Sequence, residues 1–193
     1  MPTIVHGFDW PDRLVVGAIG RPGERSFYLQ ARDGRRVVSV ALEKEQSSVL
    51  ADKIDELLDE VATVEDNRFS VPTTAPAELR DGDPLDQPVE AEFRAGALSL
   101  GFDPATAQVV IEAYPIDDDL EVFTEESEDG GEPEAVVELS EPSELLQVKI
   151  PVGSARAFVQ RTREVVGAGR PTCPRCGRSI DPDGHDCGLP ELG

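Results

Sequence analysis

The chain has 193 residues, of which 39% are hydrophobic and 5% aromatic, and its formal net charge is −21. This length suits one domain with an appendage, and this apolar content is enough for a hydrophobic core, which excludes a wholly disordered chain. The strong negative charge repels phosphate, so it argues against general binding to nucleic acids or anionic membranes. It would favour a basic partner, although it also fits the composition of a generally acidic proteome.

The cysteine count and the N-terminal sequence both favour a cytoplasmic protein. Three cysteines, an odd number, indicate a reducing compartment. The N-terminal segment has no basic region followed by an apolar run, so no signal peptide is predicted. No apolar stretch has the length of a membrane span. The sequence leaves the oligomeric state open.

The first part of the chain is predicted to form strands and then a helix. Short apolar, β-branched segments occur at residues 3–10, 14–19, 26–31 and 37–42, separated by Gly, Pro and Asp-Gly turn signals. From residue 43 to about residue 61 the apolar residues recur at helical spacing, which predicts one buried helix face.

Trp10 is the only tryptophan in the chain, and Pro11 predicts a bend directly after it. We interpret Trp10 as an anchor in the core or at its rim. Contact with a binding partner is the alternative interpretation, because exposed tryptophans are enriched in binding hot spots.

The predicted order of elements in the second part of the chain repeats that of the first. Residues 65–89 contain four prolines and few large apolar residues, which predicts an exposed connection. Strands are then predicted at 92–100, 108–113 and 145–151, followed by a helix at 154–167. We therefore predict an α+β fold of antiparallel sheets from two β-β-β-α units, with the helices packed on the sheets. The units span residues 3–64 and 90–169 of a domain at 1–169.

An acidic loop at residues 116–135 interrupts the second unit. The sequence contains no Lys or Arg between Glu112 and Glu144, and carboxylates crowd around Gly130 and Gly131. Such a block repels itself, so a solvated loop is the simplest interpretation. The segment lacks the ligand spacing of a calcium-binding loop.

The three cysteines and one of the two histidines lie in a tail at residues 170–193. Cys173 and Cys176 stand at Cys-x-x-Cys spacing, and His185 and Cys187 follow as a His-x-Cys pair. Three thiolates and one imidazole make a closed tetrahedral set, which is typical of structural zinc. We predict a C-terminal zinc knuckle with one zinc ion per chain. Redox-active or free thiols and a catalytic zinc are the weaker alternatives.

An arginine cluster follows the second helix into the tail. Its members are Arg156, Arg161, Arg163, Arg170, Arg175 and Arg178. The three on the helix are predicted to face outward, opposite the apolar stripe. A solvated helix face is the simpler interpretation, and a docking patch for an acidic partner or nucleic acid is the functional one.

The sequence contains neither a Walker loop nor a Gly-x-Ser-x-Gly motif, and we assign no catalytic or cofactor-binding residues. We therefore predict a non-catalytic binding or adaptor protein that contacts a protein partner. The alternative is an enzyme or small-ligand binder with a pocket between the two units, using His6, Asp9, Asp12 and Arg13. The third hypothesis, a nucleic-acid binder that uses the arginine-rich tail, is disfavoured by the net charge.

Four segments carry a family resemblance: GRPGERSFYLQARDG, RVVSVALEKEQ, SARAFVQRTREVVGAGRP and CPRCGRSIDPDGH. They resemble an actinobacterial family known as domain of unknown function 3090, and the resemblance covers nearly the whole chain. It implies an intracellular protein with no established activity. After the four candidate zinc ligands this chain departs from the family pattern, because Cys187 is followed by Gly188 and Leu189 instead of a Cys-Pro-Arg segment.

Overall fold

The structure is a computed structural model that describes residues 3–116, 123–124, 135–136, 142–169, 173 and 180. These residues form a mixed α+β fold with one seven-stranded sheet and two α-helices. The strands of the sheet are β1 (Ile4–Asp9), β2 (Arg13–Ile19), β3 (Ser26–Asp33), β4 (Arg36–Leu42), β5 (Ala91–Asp103), β6 (Gln108–Pro115) and β9 (Glu144–Pro151). Two short strands, β7 (Phe123–Thr124) and β8 (Ala135–Val136), pair with each other. The helices are α1 (Lys44–Ala62) and α2 (Val152–Gly167).

The helices and the inner face of the sheet enclose one apolar core. In β3 the alternate residues Phe27, Leu29 and Ala31 are buried, as expected for a strand with one covered face. The apolar stripe of α1 is buried against the same face, and a capping box between Glu43 and Gln46 closes the first turn of that helix. The predicted α1 and α2 are therefore confirmed to within two residues at each end.

The strand order is β1-β9-β6-β5-β4-β3-β2. The strands β2, β3 and β4 are antiparallel and precede α1, and the strands β5, β6 and β9 are antiparallel and precede α2. The two sets join in a single sheet because β5 pairs with β4 in parallel, and β1 pairs with β9 in parallel. The two predicted antiparallel sets are therefore present, but they form one mixed sheet instead of antiparallel sheets, since local sequence does not specify which strand lies beside which. A duplication of the two units stays a prediction.

Strand β5 turns the corner between the two halves of the sheet. Its first residues pair with β4 and the remainder pairs with β6, with a register shift between Ala95 and Ala97. A Cβ atom on Gly96 would lie 2.8 Å from the Cα atom of Ile116. Glycine at this position therefore allows two backbone segments to approach closely where the strand bends.

The sheet must curl strongly, because only three residues join its two edge strands, β1 and β2. Fully extended, the step from Asp9 to Arg13 covers about 15 Å, whereas seven flat strands would extend across about 29 Å. The curl brings β4 to β1: Arg36 Nη1 donates to the carbonyl of Gly7 at 2.8 Å, and the guanidinium lies 4.3 Å from the centroid of the Phe8 ring. Helix α2 contacts β2 and β9, close to both edges.

The connection between α1 and β5 is not simply exposed, contrary to the expectation from its prolines. Val71, Ala75 and Leu85 are buried. The Leu85 side chain fills the space where Gly17 has no Cβ atom, since a Cβ there would lie 2.4 Å from Leu85 Cγ. The buried Gln30 side chain bonds to both the amide and the carbonyl of Asp86. The connection therefore covers the outer face of β2 and β3, opposite the apolar core.

Most of the predicted acidic loop at 116–135 and most of the tail at 170–193 lie outside the described residues. Of the acidic loop, Ile116, the strand at 123–124 and Ala135 are described, and of the tail only Cys173 and Ile180. Neither described helix is long and apolar enough to cross a membrane.

Candidate functional site

The predicted zinc set is only partly within the described residues. Cys173 is described and is buried, with 6% of its surface exposed. Cys176, His185 and Cys187 lie outside the described residues. Within the described part of the chain, no group of three or more His, Cys, Asp or Glu side chains is arranged to hold a metal ion. The zinc knuckle therefore stays a prediction.

The predicted arginine cluster does not form an outward-facing surface on α2. Arg156 and Arg161 are each only 7% exposed, so the expectation that they face solvent was wrong. Arg163 is about half exposed, as expected. The remaining members, Arg170, Arg175 and Arg178, lie outside the described residues. Arg156 bonds to α1 and to the connection before β5, and Arg161 bonds to β2 and to the same connection.

A cleft of about 420 Å³ lies between α2, β2 and the connection. Its walls come from both predicted units, because Leu14 and Val15 belong to β2 whereas Ile150 and Phe158 belong to β9 and α2. Its polar rim includes Asp12, Arg13, Glu78, Arg80, Asp81, Asp83, Ser154 and Arg161. The cleft therefore lies between the two predicted units.

Two buried arginines converge on one carboxylate at this cleft. Arg13 forms a bidentate pair with Asp81, with Nε 2.5 Å from Oδ2 and Nη2 2.9 Å from Oδ1. Arg161 Nη1 donates to the same Oδ1 atom at 3.0 Å. The backbone amide of Asp83 also donates to Oδ1, at 2.9 Å. Four hydrogen bonds thus meet at the Asp81 carboxylate, which is 26% exposed, whereas the side chains of Arg13 and Arg161 are 9% and 8% exposed.

The same arginines also hold the backbone of the connection. Both donate to the carbonyl of Asp83, from Arg13 Nη2 at 2.8 Å and from Arg161 Nη2 at 2.6 Å. Arg161 Nε donates to the carbonyl of Val16 at 3.1 Å, which satisfies an acceptor on the edge strand β2. Arg13 Nη1 reaches the carboxylate of Asp86 at 3.0 Å. The network therefore joins α2, the edge of β2 and the connection.

The ionisable groups of this network shift one another's pKa values. The hydrogen bond from Arg13 holds the pKa of Asp81 below its usual range, and Asp81 in turn raises the pKa of Arg13. Burial lowers the pKa of Arg161, and the charge of Asp81 opposes that shift. Because a guanidinium stays protonated in proteins, two fixed cations bond to the Asp81 carboxylate.

A second network joins the two helices on the opposite side of α2. Arg156 donates to the carboxylates of Asp55 and Asp59 on α1, and its Nε donates to the carbonyl of Pro72 at 2.9 Å. Arg163 donates to Asp52 at 2.8 Å and to Asp55 at 2.9 Å, and the hydrogen bond to Asp52 raises its pKa. All three arginines of α2 therefore pair with carboxylates of the same chain.

The four residues predicted to share a pocket separate into two places. Asp12 and Arg13 line the cleft, whereas His6 and Asp9 do not. His6 Nε2 lies 3.0 Å from Glu144 Oε2 at the start of β9. Asp9 accepts a hydrogen bond of 2.8 Å from Gln108 Nε2. The proposed four-residue constellation was therefore wrong, because successive residues of β1 follow the strand away from the cleft.

Trp10 is 61% exposed, so it is not a core anchor. Its φ of 55° lies in the left-handed region, and it is the one aromatic residue in that region among the described residues. Its backbone amide donates to the carbonyl of Lys149 at 3.0 Å, and the nearby Asp12 accepts a hydrogen bond from the amide of Gly34. The large Trp10 ring is thus exposed to solvent on a backbone whose amide is hydrogen-bonded to β9.

Sequence reasoning did not identify the acceptors of Arg13 and Arg161 in the connection, which are the carboxylates of Asp81 and Asp86 and the carbonyl of Asp83. Asp81, Asp83 and Asp86 lie in a segment that reads DGDPLD, with turn signals around one leucine. A leucine between closely spaced aspartates is a signal that this segment packs against the rest of the protein, because large apolar side chains are usually buried. The sequence offered no means to identify Arg13 and Arg161 as their partners, because Asp81 lies 68 and 80 residues from them.

Comparison with known proteins identifies a family and no activity. A family model described as a protein of unknown function (DUF3090) matches residues 6–187. No curated protein and no solved structure matches the chain. The match includes both halves of the sheet, both helices and the four candidate zinc ligands. The chain therefore belongs to the DUF3090 family, whose function is not established.

Proposed function

We propose that this chain is a non-catalytic binding or adaptor protein, with Trp10 as a contact residue and a tail folded around one structural zinc ion. The observation that carries the proposal is the 61% exposure of Trp10 on a backbone with φ of 55°. A bulky residue in this conformation costs roughly 1–3 kcal/mol. Exposed tryptophans on rigid supports are frequent hot spots of protein interfaces.

The arginines of α2 are not part of this proposed surface. Arg156 and Arg161 are buried and bonded to carboxylates and carbonyls of the same chain. A partner would have to break those contacts to reach them, which would leave their carboxylate and carbonyl acceptors without these donors. The strained and exposed Trp10 requires no such rearrangement.

The partner proposal is tested by comparing variants as baits for quantitative mass spectrometry. Trp10→Gly removes the ring and suits the left-handed backbone, so it should melt at or above the temperature of the native chain. Val49→Ala is the matched control, because Val49 is 57% exposed on α1. We expect a partner that the native chain and Val49→Ala retain and that Trp10→Gly retains at least tenfold less. Equal retention by all three proteins would contradict the role of Trp10.

The zinc proposal rests on the donor set and on the burial of its first member. Three thiolates and one imidazole within residues 173–187 suit tetrahedral zinc. Burial of Cys173 is expected if the tail folds onto the body instead of remaining solvated.

Zinc content is measured by elemental analysis of protein purified without chelators. We expect about one zinc ion per chain, which the four ligands imply. Cys176→Ser should lose the metal while the body still melts cooperatively, and Ser179→Ala serves as the control in the same loop. Full zinc retention by Cys176→Ser would show that the ligands were chosen wrongly.

A small-ligand binder is the second candidate, and the cleft of about 420 Å³ between the two halves favours it. Cavities of this size with a few converging polar groups are the usual sites for small molecules. A thermal-shift screen of metabolites tests it: saturable stabilisation that Ala157→Phe abolishes would support the cleft, because Ala157 lines it.

A further inference from the structure

The strongest unassigned feature of the molecule is the convergence of donors at Asp81. The Asp81 carboxylate accepts two hydrogen bonds from Arg13, one from Arg161 and one from the backbone amide of Asp83. Converging guanidiniums and backbone amides are the groups with which proteins bind phosphate and carboxylate ligands. The two guanidiniums are fixed from behind by the carbonyls of Val16 and Pro84.

We propose that Arg13, Arg161 and the amide of Asp83 form a binding site for an oxyanion, and that the Asp81 side chain occupies this site as an internal competitor. The inference depends on the second candidate function, because the ligand enters through the same cleft. It does not involve Trp10 or the zinc tail. The ligand is a small molecule with a phosphate or carboxylate group.

Exchange of the internal carboxylate for a ligand requires only a local change. The Asp81 side chain lies at the mouth of the cleft and is 26% exposed, whereas the side chains of Arg13 and Arg161 are 9% and 8% exposed. When the Asp81 side chain rotates outward, the carbonyls of Asp81 and Asp83 still hold Arg161, at 2.5 and 2.6 Å. The backbone of the connection therefore stays in place while the anion position becomes free.

Movement of the Asp81 carboxylate leaves donors of Arg13 and Arg161 available to a replacement anion. Asp86 then remains the one carboxylate bonded to Arg13, and it also accepts a hydrogen bond from Arg32. The apolar wall formed by Leu14 and Phe158 would contact the remainder of a bound molecule. A phosphorylated or carboxylated metabolite with an apolar portion satisfies both parts of the cleft.

The test uses inorganic phosphate as the probe, with the full chain in isothermal titration calorimetry at constant ionic strength. Asp81→Ala removes the competitor, so it should bind phosphate at least tenfold more tightly than the native chain. Addition of Arg161→Met to that variant should abolish the gain. Asp59→Ala is the matched control, because it removes a carboxylate from Arg156 in the other network.

The outcome is decisive in either direction. A gain confined to Asp81→Ala and dependent on Arg161 supports the oxyanion site. Phosphate affinity of Asp81→Ala equal to that of Asp59→Ala overturns it. If Asp81→Ala does not fold, Asp81→Asn replaces it, and its melting temperature should rise saturably with phosphate but not with chloride; no such difference also overturns the site. A cleft that binds a neutral ligand but no phosphate would leave the second candidate function standing without this inference.

Discussion

Arg161 and Arg163 lie two residues apart on α2, yet they are in different physical situations. Arg161 is buried and donates to the edge of β2 and to the connection, whereas Arg163 is about half exposed and pairs with carboxylates on α1. The difference arises because the connection covers one side of α2. On this helix, arginine therefore stabilises the fold at one position and lies at the surface at another.

The largest effect is expected from removal of the buried guanidinium. Arg161→Met should lower the free energy of unfolding by about 3 kcal/mol, because breaking a buried ion pair leaves polar groups without partners. Urea denaturation at neutral pH measures this change. Arg163→Met is the control and should cost at most about 1 kcal/mol. Equal effects of the two substitutions would remove the distinction between the networks.

The contact of the connection with β2 can be overfilled without altering any charge. Gly17→Ala should lower the free energy of unfolding by about 1–3 kcal/mol, because its Cβ atom would overlap the Leu85 side chain. In a double-mutant cycle, Gly17→Ala should cost little when Leu85 is already alanine. Additive effects of the two substitutions would show that the segment does not lie on Gly17.

Acid should remove the contribution of Asp81 selectively. Its pKa is lower in the folded protein than its ordinary value of 3.8, mainly because of the hydrogen bond from Arg13. A depressed pKa stabilises the folded state above the pKa of the unfolded chain, and this contribution is lost as pH falls through the folded value. The difference in melting temperature between the native chain and Asp81→Asn should therefore be constant from pH 7 to pH 5 and should shrink below pH 4. A difference that grows in acid would contradict this sign.

The smallest effect is expected from salt. The partly exposed pairs of Arg163 with Asp52 and Asp55 should be screened by 1 M NaCl, so the cost of Arg163→Met, at most about 1 kcal/mol, should fall towards zero. The cost of Arg161→Met should change much less, because the Arg161 side chain is only 8% exposed. Urea denaturation at 0.05 and 1 M NaCl measures both, and equal salt dependence would count against the contrast.

The secondary structure followed from local sequence, because strand alternation and helical spacing are properties of neighbouring residues. The stripe from Leu50 to Val61 predicted α1, and turn signals separated β2, β3 and β4. Sheet order did not follow, because pairing of β1 with β9 joins residues about 140 positions apart. The carboxylate partners of Arg161 were missed for the same reason. The zinc ligands are a local pattern, and they stay a prediction, since three of the four lie outside the described residues.

The central claim is that Arg161 holds the connection on the edge of β2. Hydrogen–deuterium exchange of the backbone amides of Asp83 and Asp86 tests it most directly, because these amides bond to Asp81 and Gln30 within the attached segment. The account predicts faster exchange at both amides in Arg161→Met and unchanged exchange in Arg163→Met. Unchanged exchange in both variants would show that the connection is held in place without Arg161.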